Sequence, residues 1–294
     1  MKLICCRKNG NYTITLFDDG TKVRVGESDV FIPESPESID IKITNRCDMG
    51  CGFCHENSLA DGNYGDIMQA SFIDTLPAYT ELAIGGGNPL SHPDLVSFLK
   101  KLKEKKLVPS MTVNQKHFLE NIEFLSYLRD EKLVYGLGIS LTCATTELIE
   151  ALRGFPNAVV HVINGVVTTD SIKSLYDKDI KILILGYKEF RRGVTYLSPL
   201  VERQKTEMYD LLPEILKHFD TVSFDNLAIK QLNPKRLMTN EEWSRFYMGD
   251  DGTFTMYIDM VKGEFAQSSI SFVRHPIKSD IKEMFGVVKS ERIQ

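Results

Sequence analysis

The chain has 294 residues, of which 43% are hydrophobic and 26% charged, values ordinary for a soluble globular protein with one barrel-sized domain and small additions. Its net charge of −5 and pI of about 5.8 argue against a dedicated nucleic-acid binder, although they do not exclude a nucleotide substrate. No apolar run is long enough to span a membrane, and the polar turn after the first six residues argues against a signal peptide. Six cysteines are too few for a disulfide scaffold, so we expect a cytoplasmic protein with reduced thiols.

The first 36 residues predict an N-terminal β-hairpin extension. Apolar and polar residues alternate over residues 12–16 and again around residues 23–25, and an Asp19-Gly20 turn signal separates the two runs. A stretch with two prolines, residues 31–38, then marks a linker into the main domain.

The central motif is TNRCDMGCGFC, residues 44–54, which follows a short apolar strand predicted at residues 39–43. Its cysteines, Cys47, Cys51 and Cys54, have the spacing C-x3-C-x2-C. Thiolates are the usual ligands of iron–sulfur clusters, and a cubane cluster has four irons. Three close cysteines would therefore hold a cubane by three corners and leave one iron open.

A structural zinc site is the main alternative for this loop. Such sites normally use four Cys or His ligands, usually as two separated pairs. The remaining cysteines form no second pair of this kind: Cys5, Cys6 and Cys143. His55 directly follows Cys54, and two adjacent residues rarely bind the same metal ion. The cluster interpretation is therefore preferred.

The cysteine spacing, with the aromatic Phe53 directly before the last cysteine, resembles the cluster loop of the radical SAM superfamily. The resemblance implies a [4Fe-4S] cluster on Cys47, Cys51 and Cys54, with S-adenosyl-L-methionine (SAM) chelating the open iron and Phe53 near its adenine. It also implies that one electron, from a reductant such as flavodoxin or ferredoxin, cleaves SAM to a 5′-deoxyadenosyl radical. That radical abstracts hydrogen from the substrate.

Short apolar strands alternate with amphipathic helices from residue 39 to about residue 187. The predicted strands lie at residues 39–43, 81–84, 110–113, 134–141, 159–163 and 180–185. This alternation indicates parallel pairing, an α/β fold and a barrel or partial barrel with its site at the carboxyl ends of the strands. The radical SAM resemblance implies a partial (β/α)6 TIM-like barrel, which we assign to residues 37–200.

A glycine motif, Gly85, Gly86, Gly87 and Asn88, follows the second predicted strand. Consecutive glycines let a ligand approach the backbone closely, although a tight turn is the alternative explanation. The motif resembles the superfamily's Gly-Gly-Glu motif, whose backbone holds the amino group of SAM. Asn88 stands where that pattern usually has Glu, which leaves the side-chain contact open.

Later strands end in polar residues that face the same rim: Asn114, Ser140 and Asn164. The resemblance implies that they bind the ribose and carboxylate of SAM and that the backbone at Val166 lies near adenine. Strand-end capping by small polar residues is the alternative. Cys143, just past the fourth strand, could give or take a hydrogen atom as a catalytic group, or be a small buried hydrophobe.

Charged residues also flank the predicted site. His55 and Glu56 follow the last cysteine of the loop and could touch substrate or belong to a solvated second layer. A further group after the sixth strand could bind an anionic part of the substrate or form a solvated loop: Tyr187, Lys188, Arg191 and Arg192.

Residues 201–294 leave the strand–helix pattern and predict a small C-terminal α+β extension. We expect a helix at 201–219 interrupted at Pro213, a strand at 221–229, a helix at 241–248 capped by Asn240, and strands at 254–260 and 264–268. The last two strands resemble, without its cysteines, the auxiliary-cluster hairpin of peptide- and protein-modifying members. We expect this hairpin to cover the open mouth of the barrel or to hold substrate.

The favoured function is therefore a radical SAM enzyme that acts on a ribosomal peptide or protein. The same chemistry on a nucleotide, a nucleic-acid base or a small metabolite is the first alternative. A non-catalytic iron–sulfur electron carrier or sensor is the second. The glycine motif argues against a carrier, because a carrier has no need of a cofactor-binding rim.

Overall fold

The N-terminal part forms a small antiparallel sheet. The computed structural model describes residues 1–292, and its first sheet has the order β1 (Leu3–Asn9), β2 (Tyr12–Phe17) and β3 (Lys22–Gly26). The predicted hairpin is thus β2 and β3, and β1 adds a third strand. Arg24 of β3 donates through Nε to Glu37 Oε1 at 2.8 Å, which joins this sheet to the start of the main one.

Within residues 1–292, the main sheet has ten strands and is mostly parallel. Its strands are β4 (Ser38–Thr44), β5 (Glu81–Gly86), β6 (Val108–Asn114), β7 (Gly136–Ser140), β8 (Ala158–Ile163), β9 (Lys181–Leu185), β10 (Thr221–Phe224), β11 (Thr255–Asp259), β12 (Glu264–Ala266) and β13 (His275–Pro276). Their order is β10-β9-β8-β7-β6-β5-β4-β11-β12-β13. The six predicted strands are β4 to β9. In the described residues the edge strands β10 and β13 do not pair with each other, so the barrel is open, as predicted.

Helices follow most of the strands. They are α1 (Leu95–Glu104), α2 (Gln115–Glu120), α3 (Ile122–Asp130), α4 (Thr146–Leu152), α5 (Thr169–Lys173), α6 (Arg192–Tyr196), α7 (Pro199–His218), α8 (Asn226–Leu232), α9 (Asn240–Phe246) and α10 (Ile281–Glu291). Within residues 1–292, none of the helices combines the length and apolarity needed to cross a bilayer.

The two faces of the main sheet differ in chemistry because side chains alternate along each strand. Ile39, Ile41 and Ile43 of β4 are fully buried in the core between sheet and helices. The alternate residues of β4, Asp40 and Lys42, lie on the opposite face, inside the barrel. The interior is therefore polar, and the carboxyl ends of the strands surround it.

Three details of the C-terminal part differ from the sequence-based expectation. The helix α7 runs unbroken through Pro213, because Leu212 and Ile215 on either side are fully buried and hold it in place. The predicted strand at 221–229 ends at Phe224. Asp225 then accepts a hydrogen bond from the N–H of Ala228 and starts α8 instead.

The N-terminal cap of α9 also differs from the prediction. The cap is Thr239, one residue before the predicted Asn240. The Thr239 side chain accepts a hydrogen bond from the N–H of Glu242, and the Glu242 side chain reaches back to the N–H of Thr239. This reciprocal pair fixes the start of the helix.

The C-terminal hairpin is part of the main sheet and does not lie over the barrel mouth. Strand β11 pairs in parallel with β4, with Tyr257 opposite Asp40 and Asp259 opposite Lys42. Met256 and Ile258 are almost completely buried, on the same face as Ile41. We expected this hairpin to cover the open mouth or to hold substrate. Its pairing with β4 contradicts the first role, and the second stays a prediction. Our division of the chain at residues 36 and 200 stays a prediction.

We predict that Ile258→Ala destabilises the protein by about 2–5 kcal/mol, because it removes a fully buried side chain from the main core. Urea unfolding followed by circular dichroism measures this change. Val25→Ala, at a position that is 60% exposed on β3, is the matched control and should stay within about 0.5 kcal/mol of wild type. A cost below about 1 kcal/mol for Ile258→Ala would contradict the placement of β11 in the core.

Candidate functional site

The cysteine loop leaves the carboxyl end of β4 and is shaped by backbone hydrogen bonds. The N–H of Cys47 donates to Leu59 O at 2.8 Å, and the N–H of Cys54 donates to Cys51 O at 3.2 Å. All three thiols are partly exposed, so a ligand can reach them. Burial raises the pKa of Cys47 and Cys51, and Cys54 adds to both increases.

The donor set fits a cluster better than a single ion. In the described part of the chain, no three His, Cys, Asp or Glu side chains converge on a point that one ion could occupy. A cubane binds each thiolate at a different iron, so its ligands need not converge. Three reachable thiols on one loop therefore match the chemistry of cluster ligation.

Two glycines of the glycine motif are required by the packing of the cysteine loop. The N–H of Gly87 donates to Thr44 O at 2.8 Å, and the N–H of Asn88 donates to Arg46 O at 2.7 Å. Gly86 has φ +111°, and a Cβ there would collide with Thr44 O. A Cβ on Gly87 would collide with Arg46 O. These residues serve a close approach of two backbones, whatever else they bind.

Gly85 differs from its two neighbours. A Cβ on Gly85 would have no atom within 4 Å, and the residue pairs with Lys42 on the interior face of the sheet. Of the three glycines, it alone leaves open space for a ligand. The Asn88 side chain accepts a hydrogen bond from the N–H of Leu90 at 3.1 Å, so it caps the short 3-10 turn that follows.

The predicted rim residues fall into two groups. Asn114 and Ser140 lie opposite each other at the ends of β6 and β7. Asn114 also caps α2 by accepting from the N–H of Lys116 at 2.9 Å. Asn164 is only 1% exposed, and its Nδ2 donates to Gln231 Oε1 at 2.9 Å, so its side chain is bound within the protein.

Two further predicted site residues, Val166 and Cys143, lie in the segments that follow β8 and β7. Val166 is half-buried in the turn after β8. Cys143 is exposed, which contradicts the alternative that it is a small buried hydrophobe. Its N–H donates to Gln115 Oε1 at 3.0 Å, and Gln115 Nε2 donates to its carbonyl at 2.8 Å. The thiol is therefore accessible on a backbone that Gln115 holds in place.

The residues after β9 bind the segment that follows the cysteines and do not form a solvated loop. Lys188 Nζ lies 3.2 Å from His55 Nε2 and donates to Ser269 Oγ at 3.0 Å. Arg191 donates to Glu56 O at 2.9 Å. In the same segment, Arg192 donates to the Ser58 carbonyl and Tyr187 is buried. These side chains are already committed to the protein.

The helix α6 packs directly on the cysteine loop. The rings of Phe53 and Tyr196 meet edge to face, with 5.6 Å between their centroids. A Cβ on Gly52 would come within 2.8 Å of the Tyr196 ring, so a larger residue at position 52 would push α6 away. On another side, His117 Nε2 lies 2.7 Å from Asp48 Oδ1 and joins α2 to the loop.

A buried ion-pair network lies directly behind the loop. Lys42 Nζ is 2.8 Å from Glu56 Oε2 and 3.4 Å from Asp259 Oδ2, and all three side chains are almost completely buried. Tyr257 donates through its hydroxyl to Glu56 Oε1 at 3.1 Å. The network joins β4, the cysteine loop and β11.

The protonation states of this network follow from burial and charge. Burial alone would raise the pKa of Glu56, but its bonds with His55 and Lys42 outweigh burial and hold the pKa well below its usual range. Burial, aided by Lys188, lowers the pKa of His55 to about 4. At neutral pH the imidazole is therefore uncharged, and Lys42 is the main counterion of Glu56.

Two ionisable residues inside the barrel were missed by the sequence analysis: Asp40 and His161. Asp40 is exposed to the open barrel. Partial removal of water by the surrounding protein, together with the negative charges of Asp251 and Asp225, raises the pKa of Asp40 to about 6 against the opposing charge of Lys188. Burial lowers the pKa of His161 to about 4, and its ring lies where a Cβ of Gly138 would be. In the sequence, each could have been recognised as a polar residue that interrupts an otherwise apolar strand.

A small cavity lies beside the network. It has a volume of about 160 Å³ and is lined by Lys42, Asn45, Glu56, Asn57, Arg191, Val261 and Lys262. Lys42 and Arg191 already face Glu56. Among residues 1–292, Lys262 makes no ion pair and is the one cation of this cavity left for a ligand.

Comparison with curated proteins gives one partial relative. The chain is 27% identical over 135 residues to the probable GTP 3′,8-cyclase of Methanocaldococcus jannaschii. The match covers 44% of this chain and 44% of the relative, so it spans less than half of that protein. No family model matches the chain.

Comparison with solved structures gives a likeness in fold. The Streptococcus suis protein SuiB, bound to its precursor peptide SuiA, superposes with a TM-score of 0.55 at 16% identity. The match covers 86% of this chain and 65% of SuiB. SuiB bound to S-adenosylmethionine gives a TM-score of 0.54, also at 16% identity, over 83% of this chain and 64% of SuiB.

We predict that Gly86→Ala lowers stability by at least about 1 kcal/mol and reduces iron binding, because the new methyl group strains a positive-φ site and displaces Thr44. Gly85→Ala is the matched control, since it adds the same group to open space. It should be neutral or stabilising by up to about 1 kcal/mol. Urea unfolding and iron content after reconstitution measure both effects, and equal behaviour of the two variants would contradict this assignment.

Proposed function

We infer that this chain is a radical SAM superfamily enzyme, an assignment that its three-cysteine loop, its partial barrel and its relatives together support. The observation that carries the proposal is the position of the loop. It follows the carboxyl end of β4 and lies beside the open space at Gly85. A cluster ligand set and room for a second ligand thus adjoin each other at the end of a barrel where active sites are found.

The chain's own residues have distinct roles in this proposal. Cys47, Cys51 and Cys54 would hold a [4Fe-4S] cluster, and Gly85 leaves room for SAM. When bound, this pair would supply radical chemistry that takes a hydrogen atom from the substrate, with one electron from a reductant such as flavodoxin or ferredoxin. Asn114 and Ser140 offer polar groups at the rim, and Lys188 and Arg191 would hold the segment that follows Cys54 in place.

We favour a peptide or protein as the substrate. SuiB, which is similar in fold, is described as bound to a precursor peptide. Charge adds support, because a nucleoside triphosphate brings several negative charges that need cationic partners. Most cations near the site already bind the protein, and Asp40 faces the barrel interior with Asp225 and Asp251 nearby. Such an interior suits a neutral or cationic substrate.

A nucleotide substrate is the second candidate, and the likeness to a probable GTP 3′,8-cyclase is the observation that favours it. Lys262 is a cation that could meet a phosphate. The two candidates differ in which compound stimulates SAM cleavage. We expect 5′-deoxyadenosine release to rise with a cationic peptide and not with GTP. Stimulation by GTP alone would favour the nucleotide reading.

The first prediction of the proposed function concerns the cluster. Anaerobic reconstitution should give a brown protein with about four irons per chain, as one cubane requires. Cys47→Ala, Cys51→Ala and Cys54→Ala should each abolish it, whereas Cys143→Ala should keep the full iron content. About eight irons per chain would mean that a second cubane binds elsewhere.

The second prediction separates an enzyme from an electron carrier. With dithionite and SAM, the reconstituted protein should release 5′-deoxyadenosine slowly even without substrate. Gly85→Leu should suppress this release while keeping the iron, because its Cβ enters open space and the rest of the side chain occupies the room left for SAM. Liquid chromatography measures the product, and Gly85→Ala is the control that should retain more of it.

If the wild-type protein holds its iron but neither binds nor cleaves SAM, the hypothesis of an electron carrier or sensor replaces that of an enzyme. In the cytosol, a soluble reductant such as flavodoxin or ferredoxin would supply the electron to an enzyme and to a carrier alike.

A further inference from the structure

One charged group beside the cysteine loop has an unused hydrogen-bond donor. Arg192 is the first residue of α6, and its Nη2 donates to Ser58 O at 2.7 Å. Its Nε is buried and has no partner among residues 1–292. Leaving a buried donor unpaired costs about 1–3 kcal/mol, and more when the group is charged. Such a donor calls for a partner that the polypeptide itself does not provide.

The backbone before Arg192 is held in an uncommon conformation. Arg191 has φ +51°, a region that residues other than glycine rarely adopt. Gly193 fixes the turn from the other side, because a Cβ there would collide with Lys188 O. As a result, two consecutive arginines both reach the segment after Cys54: Arg191 binds Glu56 O, and Arg192 binds Ser58 O.

Arg192 also lies close to the cysteines. Tyr196, one turn further along α6, contacts Phe53 and lies against Gly52, both between Cys51 and Cys54. Arg192 itself donates to the carbonyl of Ser58, four residues after Cys54. Its guanidinium therefore lies beside the loop that would hold the cluster.

We propose that Arg192 donates a hydrogen bond through Nε to a sulfur atom of the bound cluster and thereby raises the cluster's reduction potential. The sign follows from charge, because reduction adds an electron and a nearby cation stabilises the more negative form. This inference rests on the proposed function only in requiring that a cluster binds. Arg192 is a positioning and tuning residue and is not a ligand.

The test compares Arg192→Met, which removes both charge and donor, with Arg192→Lys, which keeps the charge but has a methylene where Nε lies. Both variants and wild type are reconstituted anaerobically without SAM. Iron content and the midpoint potential, from a redox titration followed by electron paramagnetic resonance, are then measured. Arg203→Met is the control, because among residues 1–292 this exposed arginine of α7 forms an ion pair with Glu207 alone.

We expect full iron content and a more negative midpoint potential in Arg192→Met, a smaller shift in the same direction in Arg192→Lys, and no shift in Arg203→Met. A wild-type potential in Arg192→Met at full iron content would overturn the proposal and leave the proposed function intact. If Arg192→Met loses iron, the midpoint potential of Arg192→Lys decides, and a wild-type value at full iron content would overturn the proposal. If neither variant holds iron, Arg192 is structural and the proposal is wrong. Absence of a cluster in wild type would instead overturn the proposed function.

Discussion

The ion pair between Lys42 and Glu56 is the interaction on which the site depends most. Lys42 lies near the end of β4, and Glu56 comes two residues after Cys54, so the pair fixes the return of the cysteine loop to the sheet. Asp259 of β11 shares the same ammonium group. Removing one partner of a buried pair commonly costs about 3–5 kcal/mol, because the other charge is left uncompensated. One buried ion-pair network therefore holds the loop and the C-terminal hairpin together, although they lie far apart in sequence.

The glycine motif shows how one short run can serve packing and binding at once. Gly86 and Gly87 have no side chains because the backbone of residues 44–46 occupies that space. Gly85 has none either, but its missing side chain leaves room inside the barrel. Packing against the cysteine loop therefore explains why Gly86 and Gly87 lack side chains, while their contact with SAM stays a prediction. The distinction matters because changes at the three positions would report on different properties.

The predictable features were those encoded locally. Short apolar runs marked β4 to β9, and the cysteine spacing marked the loop, since neither depends on distant contacts. The pairing of β11 with β4 could not be read in this way, because parallel partners need not be neighbours in sequence. Pro213 was misjudged for a related reason: burial of its neighbours in α7 outweighs the local preference to break a helix. Likewise, the partners of Arg191 were set by tertiary structure alone.

The charges around the barrel form a mainly cationic group at the cysteine loop and a group of carboxylates that includes Asp40, and Lys188 acts on both. Lys42, Lys188, Arg191 and Arg192 all bind the segment just after the cysteines, where a cluster would become more negative on reduction. Glu56 compensates part of this charge through its pairs with Lys42, which is almost completely buried, and with Arg191. The carboxylates of Asp40, Asp225 and Asp251 lie close enough to influence one another, and Asp40 faces the interior. Lys188, which lies against His55, also opposes the rise in the pKa of Asp40 and Asp225, so the two groups of charges are electrostatically coupled.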